Sequence, residues 1–155
     1  MAMLVFSSGL SACNAVGSAP DVAYTLLDGS TGRMSALRGQ VVLVNFWATS
    51  CAPCIRAMPA LVATHREFAA RGLQTLAVAM QYDAPAAVSH FAQTRQLPFG
   101  VVIDNTGIVA RAFGDVRITP TTFVIDRLGA IAKRSVGDSG DPPLRALLAR
   151  LLDRA

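Results

Sequence analysis

Two cysteines separated by two residues, Cys51-Ala52-Pro53-Cys54, are the side chains of this sequence best suited to covalent chemistry. They follow a run of β-branched and aromatic residues, Val41 to Trp47, and open a stretch with helical periodicity. Cys51 is therefore expected at a helix N-terminus, where unpaired N–H groups and the helix dipole favour a thiolate. Cys54 comes three residues later on the same helical face, near enough to close a disulfide. Pro53 fits between them because the first turn of a helix has no N–H bond to lose. A thiol of lowered pKa attacks a partner's disulfide and a neighbouring thiol resolves the mixed disulfide. The pair is the minimal machinery for thiol–disulfide exchange.

Two plainer readings compete with exchange. Structural zinc needs about four ligands, to be drawn from Cys51, Cys54, His65, His90 and the distant Cys13. His65 lies on the same helix as Cys54, about 16 Å along it at a rise of about 1.5 Å per residue, so it cannot share a metal with the pair. A purely structural disulfide is the other reading, but closing so small a loop adds little stability. His90, Met58 and Met80 read as structural: His90 points off an apolar helix face, Met58 lies on a core face, and Met80 ends a buried strand.

Positioning the pair takes an alternation of strands and helices. Val22–Leu27 reads as a short strand closed by the Asp28-Gly29 turn. Val41–Trp47 fits a strand buried on both faces at the centre of a sheet. The helix after it carries Ile55, Met58, Leu61, Val62 and Phe68 on its apolar face and ends near Arg71-Gly72. Leu73–Met80 is a further strand, and Asp83-Ala84-Pro85 looks like an N-cap opening a helix to about Gln96. Val101–Ile103 is a strand, Ile108–Phe113 a short helix, and Thr121–Ile125 and Ala130–Val136 the strands of a hairpin. Pro142–Leu152 closes the chain as an amphipathic helix. The order predicts an α/β fold: a mostly parallel sheet with helices on its faces and an antiparallel edge.

Composition sets the outer limits. The chain has 155 residues, 52% hydrophobic and 15% charged, which suits one domain with a real core and excludes a disordered chain. No stretch reaches the roughly 18–20 apolar residues of a membrane span. The net charge of +4 comes from basic residues spread singly, all arginine except Lys133, without the dense patch of a nucleic-acid footprint. Three cysteines cannot all pair within the chain. The third, Cys13, lies in residues 1–20, an uncharged segment that reads as a leader and tether ahead of a domain spanning 21–155. Leu10-Ser11-Ala12-Cys13 resembles the lipobox of bacterial lipoproteins, in which the cysteine takes a lipid after cleavage. The absence of any Lys or Arg before Cys13 departs from an ordinary export signal.

The segments Val44-Asn45-Phe46-Trp47-Ala48-Thr49-Ser50-Cys51-Ala52-Pro53-Cys54 and Ile118-Thr119-Pro120-Thr121-Thr122-Phe123 resemble the two signatures of the thioredoxin superfamily, most closely its exported TlpA/ResA-like branch. The resemblance covers roughly residues 21–155. It implies a thioredoxin fold with a central helix–strand insertion, a mixed sheet flanked by helices, and a redox-active Cys51–Cys54 disulfide with no other cofactor and no metal. It implies that Cys51 is the attacking thiol, Cys54 the buried resolving thiol, and Pro120 a cis-proline lying against the disulfide. Thr119 would offer its backbone to an extended substrate, with Ala52 and Pro53 at the contact surface and Trp47 shielding one side. Asp83 matches an acidic position close to the cysteines, where it would tune the Cys54 proton; capping a helix is its competing role. Asn45 stands where cytosolic thioredoxins carry a buried Asp, and Ser50 where many relatives carry an aromatic.

The function implied is an exported, lipid-anchored dithiol reductase at the extracytoplasmic face of a bacterial membrane. It would draw electrons from a membrane donor of the CcdA/DsbD type and reduce protein disulfides in apocytochrome c or a copper-site protein. A copper-binding assembly factor is the alternative, although such proteins separate their cysteines by three residues and add a later His, absent from Thr121–Val136. A thiol peroxidase would place Thr three residues before its reactive cysteine; Ala48 holds that place, and Thr49 follows it.

Overall fold

The structure, a computed structural model, describes residues 17–137 and 142–154; Cys13 and its lipobox-like surroundings lie outside the described residues. The elements are β1 (Ala23–Thr25), β2 (Thr31–Arg33), β3 (Val41–Trp47), α1 (Ala52–Phe68), β4 (Leu73–Ala79), α2 (Pro85–Thr94), β5 (Gly100–Ile103), α3 (Ile108–Ala112), β6 (Thr121–Ile125), β7 (Ile131–Val136) and α4 (Pro142–Asp153).

All seven residues of β3 are buried because the strand is central in a five-stranded sheet of order β5-β4-β3-β6-β7 and covered on both faces. β3, β4 and β5 are parallel, whereas β6 runs antiparallel to β3 and β7 antiparallel to β6. Two of the four pairings are parallel and two antiparallel, so the sheet is the mixed one that the resemblance implies, with β6 alone running against the other four strands. The reason is local: α3 has only five residues, about 8 Å of helix, too short to return the chain to the far end of the sheet. β6 therefore starts at the end where β3 and β5 finish, and runs back.

Side-chain alternation along β3 sorts the core into two layers. Val41, Leu43 and Trp47 face α1, α2 and α4, meeting Cys54, Met58, Leu61, Val88 and Leu148. Val42, Val44 and Phe46 face the opposite layer, with Val109 and Phe113 around α3 and Val22 and Met34 from the N-terminal segment. There Phe46, Phe113 and Phe123 meet edge-to-face, with ring centroids 5.0–5.9 Å apart. Burying each such ring contributes on the order of 1.5–3 kcal/mol. α1 continues through Pro59, and its last turn ends at Gly72, whose φ of 99° is the left-handed conformation that glycine adopts without steric cost.

The first strand is shorter than its hydrophobic pattern suggests, because the chain leaves it to reach the main sheet. Leu26 bridges Val102 and the Leu27 N–H donates to Val101, along the outer edge of β5. At the other edge of the sheet, Ala19 donates to Gly129, Ser18 bridges Ala130, and Gly17 accepts from Ile131. Residues 17–19, expected within a tether, are hydrogen-bonded to the domain, and both sheet edges gain cover against strand addition. β2, which pairs with β1, carries no period-2 apolar signal.

Candidate active site

β3 delivers its C-terminal residue, Trp47, to the end of the sheet, and a tight turn follows in which the Cys51 N–H donates to the Ala48 carbonyl. Cys51 is the N-cap of α1 in extended conformation, and its Sγ accepts the Cys54 N–H at 3.3 Å. One of the orphan donors at the start of the helix is therefore spent on the sulfur itself, the arrangement that stabilises negative charge there. Cys51 and Cys54 form a disulfide, with S–S 2.07 Å and Cα atoms 5.2 Å apart. The two sulfurs are unequal. Cys51 is half-buried beside the exposed Ser50, Ala52 and Pro53, whereas Cys54 is 2% exposed and belongs to the core cluster of α1, α2 and α4.

The second motif arrives at the same sheet end through strand register. Thr121 lies opposite Phe46, so the preceding residue, Pro120, falls beside Trp47 at the point where the cysteine loop leaves β3. The Thr119–Pro120 peptide bond is cis. Pro120 is buried, Thr119 half-buried and Ile118 63% exposed. The Thr121 hydroxyl donates to the Ile118 carbonyl at 2.6 Å, and the Pro120 carbonyl accepts the Gly137 N–H at 2.8 Å. The Thr119 backbone makes no hydrogen bond among the described residues.

Asp83 does not cap α2. The N-cap is Ala84, and its side chain accepts no cap bond; Pro85 opens the helix. The Asp83 carboxylate instead reaches across to the cysteine loop, where Oδ2 accepts the Thr49 backbone N–H at 2.6 Å and Oδ1 accepts the Thr49 hydroxyl at 2.5 Å. Thr49 carries no local sequence signal for this role, since the contact spans 34 positions and exists only because β3 and β4 are parallel neighbours ending side by side.

Trp47 is fully buried, so it cannot present a surface to a partner. It packs against Phe91 of α2 with ring centroids 5.1 Å apart and shares the core cluster of Cys54, which makes it a floor under the site. Its Nε1 has no hydrogen-bond partner among the described residues. Asn45, on the same face of β3 as Trp47, is 3% exposed and donates from Nδ2 to the Thr122 hydroxyl at 2.9 Å, a buried cross-strand pair. His65 is not near the cysteines in chemical terms: its Nδ1 meets the Thr75 hydroxyl at 3.1 Å and its ring stands edge-on to Phe99. Burial pushes its imidazole pKa down, with a hydrogen bond to the Pro98 backbone pulling the other way. Among the described residues no three His, Cys, Asp or Glu side chains gather in a metal-binding group.

A thioredoxin-like fold with a disulfide at the N-terminus of its first long helix defines a thiol–disulfide oxidoreductase. The sequence profile of the AhpC/TSA family matches residues 16–134. The thiol-disulfide oxidoreductase ResA of Geobacillus thermodenitrificans is 39% identical over 124 residues, which cover 79% of this chain and 70% of that protein. The thioredoxin-like protein YneN of Bacillus subtilis is 36% identical over 121 residues, 77% of this chain and 69% of its own length. A solved thioredoxin-family thiol:disulfide interchange protein from Chlorobium tepidum superimposes with a TM-score of 0.79 at 27% identity, covering 88% of this chain and 96% of that one. The chain belongs to the thioredoxin-like AhpC/TSA family and is a ResA-like thiol–disulfide oxidoreductase.

Proposed function

We propose that this oxidoreductase is a dithiol reductase of partner proteins, working at the extracytoplasmic face of a bacterial membrane and held there through a lipid on Cys13. The observation that carries the reading is the inequality of the two sulfurs: Cys51 meets solvent at a helix N-terminus, and Cys54 is 2% exposed behind it. In the reduced form the Cys51 thiolate attacks one sulfur of a partner's disulfide. A mixed disulfide forms and the partner's other sulfur leaves as a thiolate, which takes up a proton. The Cys54 thiolate then attacks Cys51 Sγ, the mixed disulfide breaks, and the partner's second thiolate departs. The Cys51–Cys54 disulfide is left, two electrons have passed to the partner, and a membrane dithiol donor of the CcdA/DsbD type restores the reduced pair.

The other residues act on position. The Thr119 backbone, unbonded among the described residues, receives an extended partner segment in the manner of strand addition, and the exposed Ala52 and Pro53 form the opposite lip of that contact. Pro120 lies between the segment and the disulfide. Asp83 and Thr49 hold the loop that carries Cys51. Substrates of the apocytochrome c or copper-site type suit this machinery, because both require thiols kept reduced in an oxidising compartment.

The deciding measurement is the reduction potential of the pair, obtained by equilibration with a thiol buffer. A value near the thioredoxin end of the scale, about −270 mV, is expected; one near the DsbA end, about −120 mV, makes the protein an oxidant and ends the reductase reading. The anchor is tested separately by expressing the whole chain and its Cys13→Ser variant in a bacterium with labelled fatty acid. Label and membrane fractionation should depend on Cys13.

A further inference from the structure

Between α1 and α2 lies a groove of about 330 Å³ that the exchange chemistry does not use. Met58, Val62 and Phe91 make it apolar, and Ile55, the residue after Cys54, stands at one end. Two cations stand on its margins, Arg66 on α1 and Arg95 just beyond α2. Both are exposed, and the Arg95 guanidinium lies over the Phe91 ring, 5.7 Å from its centroid. Arg33, Arg71, Arg117 and Arg145 each pair with a carboxylate, whereas Arg66 and Arg95 do so with none among the described residues. Among the described residues no acidic side chain lines the groove. An apolar trough edged by two unpaired cations complements a ligand that is apolar and anionic together.

The dimensions select the ligand. From Ile55 to Arg66 the helix rises about 16 Å, the span of about five residues of extended chain. The groove begins next to the disulfide, so whatever fills it is held beside the reacting sulfurs. We infer that this groove takes an extended segment of the partner protein that combines apolar side chains with one or two carboxylates, and so favours partners whose cysteines lie close to such a segment. The inference rests on the reading of the chain as an enzyme that acts on proteins. It adds a selection step remote from the bond exchanged.

Equilibrium binding to the oxidised protein tests the groove apart from any reduction. The probe is a cysteine-free, dye-labelled peptide with leucine and phenylalanine alternating with two glutamates, compared with its glutamine analogue. Exposed ion pairs of this kind are each worth about two- to fivefold in affinity, so the acidic peptide should bind roughly tenfold tighter. The double variant Arg66→Glu, Arg95→Glu should abolish or invert that preference, and Arg66→Lys, Arg95→Lys should keep it. Equal binding of the two peptides, or a preference that survives charge reversal, overturns the inference. So does displacement of the acidic peptide by phosphatidylglycerol vesicles but not by phosphatidylcholine vesicles, which assigns the groove to a lipid. Reduction of hydroxyethyl disulfide by the reduced protein is measured alongside. Its failure with peptide preference intact counts against the proposed reductase and leaves the groove standing.

Discussion

Asp83 holds Thr49 at two points, one carboxylate oxygen on the backbone N–H and the other on the hydroxyl. The contact joins the end of β4 to the loop that carries Cys51, two residues after Thr49. With both oxygens occupied in the disulfide form, Asp83 serves there as a brace for the loop. A donor bonded to a charged carboxylate is held more firmly than one bonded to a neutral group.

Removing this brace should cost more than weakening it. Asp83→Ala leaves two part-buried donors of Thr49 without an acceptor and is expected to destabilise the oxidised protein by about 1.5–3 kcal/mol. Thr49→Val keeps the backbone bond and should cost about 1 kcal/mol, with Thr49→Ser close to the parent. Urea unfolding of the oxidised protein gives the order. Equal costs for Asp83→Ala and Thr49→Val contradict a two-point brace.

The two cysteines should fail differently. Cys54→Ser is expected to accumulate a mixed disulfide between Cys51 and a protein substrate, because attack remains and resolution is lost; Cys51→Ser should trap nothing. Mass spectrometry of the trapped species identifies the sulfur involved. In the reduced parent, alkylation of Cys51 should reach half its maximal rate below the pH of about 8.5 typical of free thiols, with Cys54 slower at every pH. Trapping through Cys54 reverses the assignment.

Trp47 is a packing residue whose indole nitrogen bonds to nothing among the described residues, so its volume should matter and its N–H should not. Trp47→Ala is expected to cost about 3–5 kcal/mol, and Trp47→Phe much less, since no hydrogen bond is lost. Denaturant midpoints of the two variants decide this. A Phe variant as unstable as the Ala variant points to a bonded N–H.

His65 links stability to pH through the direction of its shift. Burial holds its folded pKa below the unfolded value of about 6.5, so the unfolded chain takes up the proton first as pH falls. Its contribution is fully present above that value and is lost as pH drops from about 6.5 through the folded pKa. His65→Gln should therefore narrow the difference between urea midpoints at pH 7.5 and pH 5. An unchanged difference removes His65 as a source of acid sensitivity.

Much of this was legible in the sequence because it is local. The run Val41–Trp47 announces a central strand, and the cysteine pair after it announces a helix start, so the position of the disulfide follows from two adjacent patterns. Pro120 came from likeness to a known motif, since an X–Pro bond carries no local sign of its isomer. Contacts between distant segments were not legible. From its local sequence Asp83 reads as a cap, since Asp before Ala-Pro is a strong signal; only the resemblance put it close to the cysteines, and its partner Thr49 is fixed by tertiary pairing. Asp104, 2% exposed, accepts the Val109 and Ala110 N–H groups at 3.1 and 2.9 Å, a bond to the start of α3 from outside the ordinary cap position that no spacing rule picks out. The shortness of α3 was legible, but that it leaves β6 antiparallel to β3 depends on the path of the connection across the sheet, which no local pattern carries.

The seating of residues 17–19 has a consequence for how the domain can be joined to anything ahead of it. They bond to Gly129, Ala130 and Ile131, at the end of the sheet where Ile125 lies across from Val42. The disulfide springs from the other end, where Thr121 lies across from Phe46, about 13 Å away at strand spacing. The chain thus emerges from one pole and reacts at the opposite one. A carrier fused ahead of Gly17 would therefore leave the sulfurs clear.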